Sequence, residues 1–181
     1  MSIQDRLTSV RKEIGDKVTL VAVSKTKPVE DITEAYTAGQ RVFGENKVQE
    51  LVAKYEALPK DIQWHLIGHL QSNKVKYIAP FVALIHSVDS LKLLAEINKQ
   101  ALKNERTIDC LLQFHVATEE TKFGLNLTEA KELLCSPDYK TMQNIRIVGI
   151  MGMASFTDNQ ELVHQEFQTL KSLFNELKHN E

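Results

Sequence analysis

The stretch TLVAVSKTKP, residues 19–28, decides how this chain is read. Leu20 to Val23 form an apolar run of strand length, Ser24 and Lys25 end it, and Pro28 stands at the start of the next element. A strand that is apolar throughout, rather than alternating, belongs in a parallel sheet covered on both faces. Proline is well placed at the start of a helix, where its missing N–H has no partner to lose. Val29, Ile32, Ala35 and Tyr36 then recur at helical spacing as far as Gly39. A buried strand followed by an amphipathic helix makes one βα unit.

Working outward, the same unit recurs. Ahead of it, Ile3, Leu7, Val10 and Ile14 predict an amphipathic helix closed by Gly15. Beyond it, RVFGE (41–45), IQWHLIG (62–68), VALIHSV (82–88), IDCLLQFHV (108–116) and IRIVGIM (145–151) read as strands. Between them lie helical patterns: one bearing Val48, Leu51, Val52 and Tyr55, and a short one at 71–79. Another bears Leu94, Ile97 and Ala101, and Thr128 is expected to cap one running through Leu134. The last carries Val163, Phe167, Leu170, Phe174 and Leu177. Strict alternation without a linker predicts an α/β fold and one domain over residues 1–181, either an open doubly wound sheet or a (βα)8 TIM-type barrel. No GxGxxG or GxxxxGK[ST] comes after the first strand. Polar residues gather just after the strands instead: Ser24-Lys25, Glu45-Asn46, Gly68-His69 and His86-Ser87, with Gly149 and Gly152 in the last. A barrel brings such positions to one mouth, so the barrel is preferred. Only about six of its eight strands are found, which carries the expectation that the chain is a C-terminally truncated piece of a longer protein, or that something else pairs with its outer strands.

The bulk composition narrows the function. The chain has 181 residues, 43% hydrophobic, with a formal net charge of −2 and no block of like charge, so no nucleic-acid or anionic-membrane partner is expected. The N-terminus lacks the pattern of a secretory signal, and no run approaches the roughly 18 apolar residues that span a bilayer. The two cysteines, Cys110 and Cys135, lack metal-site spacing and fit free thiols in a reducing cytoplasm.

Most polar residues have plain readings. His65 and His69 are four apart, but on a strand and turn their rings need not share a face and no carboxylate cluster accompanies them, so no metal site is assigned. Asp89 reads as a helix cap or first-turn acid, Gly124 as a turn glycine, and Lys74 and Lys76 as solvated helix residues. Lys25 alone is an exposed strand end. At a barrel mouth a partly desolvated amine is neutral more often, and it can form a Schiff base with an aldehyde.

The motifs AVSKTKP (22–28), FGENKVQE (43–50), WHLIGHLQSNK (64–74) and IHSVDS (85–90) resemble those of the pyridoxal-phosphate homeostasis proteins, the YggS/PROSC family. ETKFGL (120–125) and IRIVGIMGM (145–153) extend the likeness toward the end. The resemblance implies a barrel like the N-terminal domain of alanine racemase, with Lys25 holding pyridoxal 5′-phosphate as an internal aldimine. It implies that Asn46 lies near the cofactor, that Met151 lines its pocket and that Ser87 stands at a comparable mouth position. It also matches Lys122 to a second lysine of unassigned role. Members of the family continue into two further strands that carry the phosphate contacts, so these 181 residues alone are expected to bind the cofactor poorly. The implied role is to hold the cofactor and pass it to apo-enzymes in the cytoplasm, without turnover. An amino-acid racemase is the alternative, and a barrel that serves only as a partner-binding scaffold is a third. Racemization needs an opposing proton donor such as tyrosine, yet Tyr36, Tyr55, Tyr77 and Tyr139 all fall away from the predicted mouth.

Overall fold

The computed structural model describes residues 2–116 and 123–178. Helix α1 (Ile3–Ile14) starts at a reciprocal cap, in which Ser2 Oγ accepts from Asp5 N–H and the Asp5 carboxylate accepts from Ser2 N–H. The βα series comes next: β1 (Ala22–Val23), α2 (Val29–Thr37), β2 (Val42–Glu45), α3 (Val48–Ala57) and β3 (Gln63–Leu66). A 3-10 turn (Ser72–Lys74) runs into α4 (Val75–Ile78), ahead of β4 (Leu84–Val88) and α5 (Leu91–Lys103). The rest comprises β5 (Ile108–Phe114), α6 (Leu127–Cys135), α7 (Pro137–Lys140), β6 (Ile145–Gly152) and α8 (Gln160–Lys178).

All five strand pairs are parallel, in the order β1-β2-β3-β4-β5-β6. That order separates the two candidate architectures. A doubly wound sheet reverses its strand order partway, whereas a barrel wall advances by one strand each time, as here. The fold is thus of the α/β TIM-barrel type, with six strands among the described residues.

Register sorts the side chains into two faces. Phe43, Trp64, Leu66, Ile85, Cys110 and Leu112 point at the helices and are at most 1% exposed. They pack with Leu51, Leu94, Ile97 and Ala130 in a cluster that extends to Leu177 on α8. Each large apolar side chain buried there contributes about 1.5–3 kcal/mol. The opposite face, which a barrel would turn inward, is open at its edge, where Val23 is 51% exposed.

Several local expectations are corrected. β1 pairs over two residues only, shorter than the apolar run, and the Gln40 side chain extends the link by donating from Nε2 to Leu20 O and Val42 O. Ser90, not Asp89, caps α5, its hydroxyl accepting from Leu93 N–H. Asn126, not Thr128, caps α6, because Asn126 and Glu129 exchange side-chain and backbone hydrogen bonds. Helix α7, with Pro137 at its start, is an element too short for periodicity to predict. Gly124 holds φ +124°, and a Cβ there would stand 2.5 Å from His115 N, so the expected turn requires glycine.

Candidate functional site

Two hydrogen bonds carry the parallel ladder one step beyond the strands: Ser24 N–H to Gly44 O and Ile67 N–H to Glu45 O, both 2.9 Å. Alternation then places Lys25, Asn46 and Ile67 on the inner face, and Ser24 and Glu45 toward the helices. On the far side of the sheet Met151 pairs with Gln113, while Gly152 pairs with Phe114, whose ring is in the core. Met151 and Gln113 therefore also face inward. Lys25, Asn46 and Met151 thus belong to the same face at the same end of the sheet, as expected for a mouth.

Lys25 itself differs from expectation. It is exposed, because β1 has a neighbour on one side only, and its amine has no partner among the described residues. The chain turns at once after it: Lys27 N–H donates to Ser24 O at 3.0 Å, and Thr26 sits at φ +63°. Asn46 is half-buried against the loop after β3. Gly68 makes that approach possible, since a Cβ there would lie 2.4 Å from Asn46 O.

Ser87 occupies an irregular part of β4. Ile85 pairs with Cys110 and Val88 with Leu112, so His86 and Ser87 together oppose Leu111 alone, which is a bulge. Ser87 is fully buried and its Oγ has no hydrogen-bond partner among the described residues. His86 faces inward, where its Nε2 lies 3.0 Å from His65 Nδ1. One ring donates and the other accepts, which requires the accepting ring to be neutral. Burial lowers the pKa of each from 6.5 to about 4, with the neighbouring His86 adding to the effect on His65. His69 turns elsewhere, stacking on Phe123 with centroids 4.2 Å apart and lying 3.9 Å from Asp89 Oδ2. Among the described residues no group of three His, Cys, Asp or Glu side chains is arranged to hold a metal ion.

Two features are not foreseen by the sequence patterns. One is the histidine pair, whose members are 21 residues apart and meet only through strand register. The other is a buried ion pair between Glu45 and Lys54, N to O 2.6 Å. A signal for it exists, because a glutamate closing an apolar strand needs a cation nearby. Lys122 lies outside the described residues. Burial pushes the Cys110 thiol up to about 12, which removes it as a nucleophile. All four tyrosines stand on helices, at Tyr36, Tyr55, Tyr77 and Tyr139. No described helix is long and apolar enough to cross a membrane.

Comparison with known proteins gives a consistent result. Residues 1–181 match the family model for the alanine racemase N-terminal domain. A pyridoxal phosphate homeostasis protein of Aquifex aeolicus is 44% identical over 161 residues, covering 88% of this chain and 69% of the relative. A protein of that description from Schizosaccharomyces pombe is 38% identical over 180 residues, covering 95% of this chain and 75% of its own length. Among solved structures, PipY of Synechococcus elongatus with PLP bound superposes with a TM-score of 0.86 at 35% identity, over 99% of this chain and 83% of that one. Alanine racemase of Clostridium difficile shares the fold, with a TM-score of 0.75 at 11% identity over 98% of this chain and 48% of that one.

Proposed function

This chain belongs to the alanine racemase N-terminal domain family, with pyridoxal phosphate homeostasis proteins among its relatives, and we propose that it holds pyridoxal 5′-phosphate reversibly through Lys25. Its role in this reading is to keep the cofactor available inside the cell and pass it to apo-enzymes, without turning over a substrate. The observation that carries the reading is the exposed amine of Lys25 at the end of β1, without a partner among the described residues, in a fold whose Synechococcus relative has PLP bound.

The donor set fits such a ligand. When bound, the cofactor supplies an aldehyde that condenses with a neutral primary amine and exchanges to another amine. Lys25 offers that amine, with no ion pair to any of the described residues. Asn46 offers an amide on the same face, and Met151 an apolar, polarizable flank. Ser87 is fully buried, so its assigned role is to support the wall beside His86 rather than to touch the ligand. Delivery would be exchange to another primary amine, with Lys25 released as a free amine as the incoming amine gives up its two N–H hydrogens. The racemase alternative is less well supported, because the four tyrosines stand in the helical layer and none is on the inner face with Lys25.

The test is reduction with borohydride after mixing the protein with pyridoxal phosphate, followed by peptide mapping. The expected label is on Lys25, and Lys25→Ala loses both the label and the associated absorbance band. Labelling spread evenly over surface lysines overturns the reading. Optical rotation of D- or L-alanine incubated with the loaded protein is expected to stay constant; a change favours the racemase.

A further inference from the structure

The end of β1 is held by a polar cluster that an apolar strand does not require. Glu45 closes β2 with none of its surface exposed, and Lys54 of α3 is 7% exposed. Glu45 Oε1 accepts from Lys54 Nζ and from Ser24 Oγ, each at 2.6 Å. Lys54 Nζ also donates to Ser24 O at 2.7 Å. Glu50, one turn earlier on α3, lies 3.5 Å from Lys54 Nζ and accepts Thr26 N–H at 3.1 Å. The Thr26 N–H, with the Lys54 and Lys47 charges, holds the Glu50 carboxyl below its ordinary range, so it is ionized.

Stability alone is a poor account of this arrangement. A buried ion pair is often matched or exceeded by apolar residues of the same volume. Thr26 is moreover a β-branched residue at φ +63°, a strained conformation for a residue with a branched Cβ. The contacts fall on the residues that flank Lys25. Ser24 is gripped through its hydroxyl and carbonyl, and Thr26 through its N–H, while no described residue bonds the Lys25 amine itself.

We infer that Glu45, Glu50 and Lys54 are positioning residues that lock the Ser24–Lys27 turn and so fix the direction in which Lys25 presents its amine. The inference rests on Lys25 being the residue that takes pyridoxal phosphate. Gripping the neighbours restricts the backbone on both sides of Lys25 without neutralizing its nitrogen in an ion pair. A strained turn of this kind persists only where surrounding contacts over-determine it, and here Glu50 and Lys54 provide them.

Glu50 is the member to alter, because it is partly exposed and its loss leaves the buried pair intact. The full chain, Glu50→Ala and Glu50→Gln are compared for the rate of borohydride trapping of pyridoxal phosphate on Lys25. A second readout, free of cofactor, is the ratio of Lys25 to Lys60 acetylation by acetic anhydride. Glu50→Ala is expected to slow trapping about tenfold and to shift the acetylation ratio, with a melting temperature within about 3 °C of the parent. Glu50→Gln, whose amide oxygen still accepts the Thr26 N–H, is expected to recover to within about twofold. Trapping on Lys25 at the parental rate in Glu50→Ala overturns the inference and leaves the reading of Lys25 standing. Equal impairment of the Ala and Gln variants also overturns it, as does a loss that merely tracks a large drop in melting temperature. Label on some other lysine in the parent overturns both.

Discussion

Acidification should strike this fold first at the histidine pair. His65 and His86 are neutral in the folded chain, with pKa values lowered from 6.5 to about 4. On unfolding each ring returns to its ordinary value. The unfolded chain therefore binds more protons than the folded one between those two values, and stability falls as pH drops through that window. Above pH 6.5 the pair contributes no pH dependence. At pH 5 the linkage amounts to about 2 kcal/mol for each ring at most. Halved because both rings keep some contact with solvent, the pair accounts for about 2 kcal/mol of lost stability. Urea unfolding at pH 7.5 and at pH 5.0 measures this, provided a non-titrating reference removes the carboxylate background. The variant His65→Gln/His86→Gln serves, since two amides can also exchange a hydrogen bond. The parent is expected to lose about 2 kcal/mol more than the variant over that range. Identical losses in the two proteins, or a gain in stability on acidification, would refute the reasoning.

Other outcomes rest on the same geometry. Lys54→Met leaves the Glu45 carboxylate buried without its cation and is expected to cost about 3 kcal/mol or more by urea titration. Pairing it with Glu45→Leu should recover most of that stability while trapping on Lys25 stays slow; full recovery of trapping would count against the positioning role. Gly68→Ala drives a Cβ to 2.4 Å from Asn46 O, so the loop after β3 must move. A melting temperature and a cofactor titration unchanged from the parent would contradict that packing. Trp64→Ala empties the centre of the helix-facing core and should cost about 3–5 kcal/mol in chemical unfolding.

The βα alternation, and with it the barrel, is legible because both of its signals are local. Apolar runs such as Val82–Ile85 mark covered strands, whereas Leu20–Val23 reads the same way and yet lies on the open edge with none of its residues buried; Gly15 and Pro28 punctuate the helices. Lys25 is legible as a mouth residue from its place after β1. Its exposure is not, since that depends on how many strands flank β1. The caps show the limit more finely. Asp89 and Ser90 are both good caps, and only the end of β4 decides between them. Asn126 with Glu129 carries a reciprocal cap signature, which outweighs the hydroxyl of Thr128 two residues on. Glu45 and Lys54 are nine residues apart on different elements, so neither residue's own periodicity reveals the other. The same holds for His65 and His86, which meet only because β3 and β4 are neighbours at a particular register.

The order of the sheet bears on how the chain comes to be folded at all. Each inner strand hydrogen-bonds to the strand before it in sequence and to the one after it. Among the described strands no pairing has to wait for a distant segment, so the loops closed between them are short and their entropic cost is low. As the chain leaves the ribosome, β2 can dock on β1 once α2 has emerged, and every later unit adds to a wall already standing. The turn that presents Lys25 would then be completed early. Glu45 and Lys54, which grip it, are both out before β3 is made.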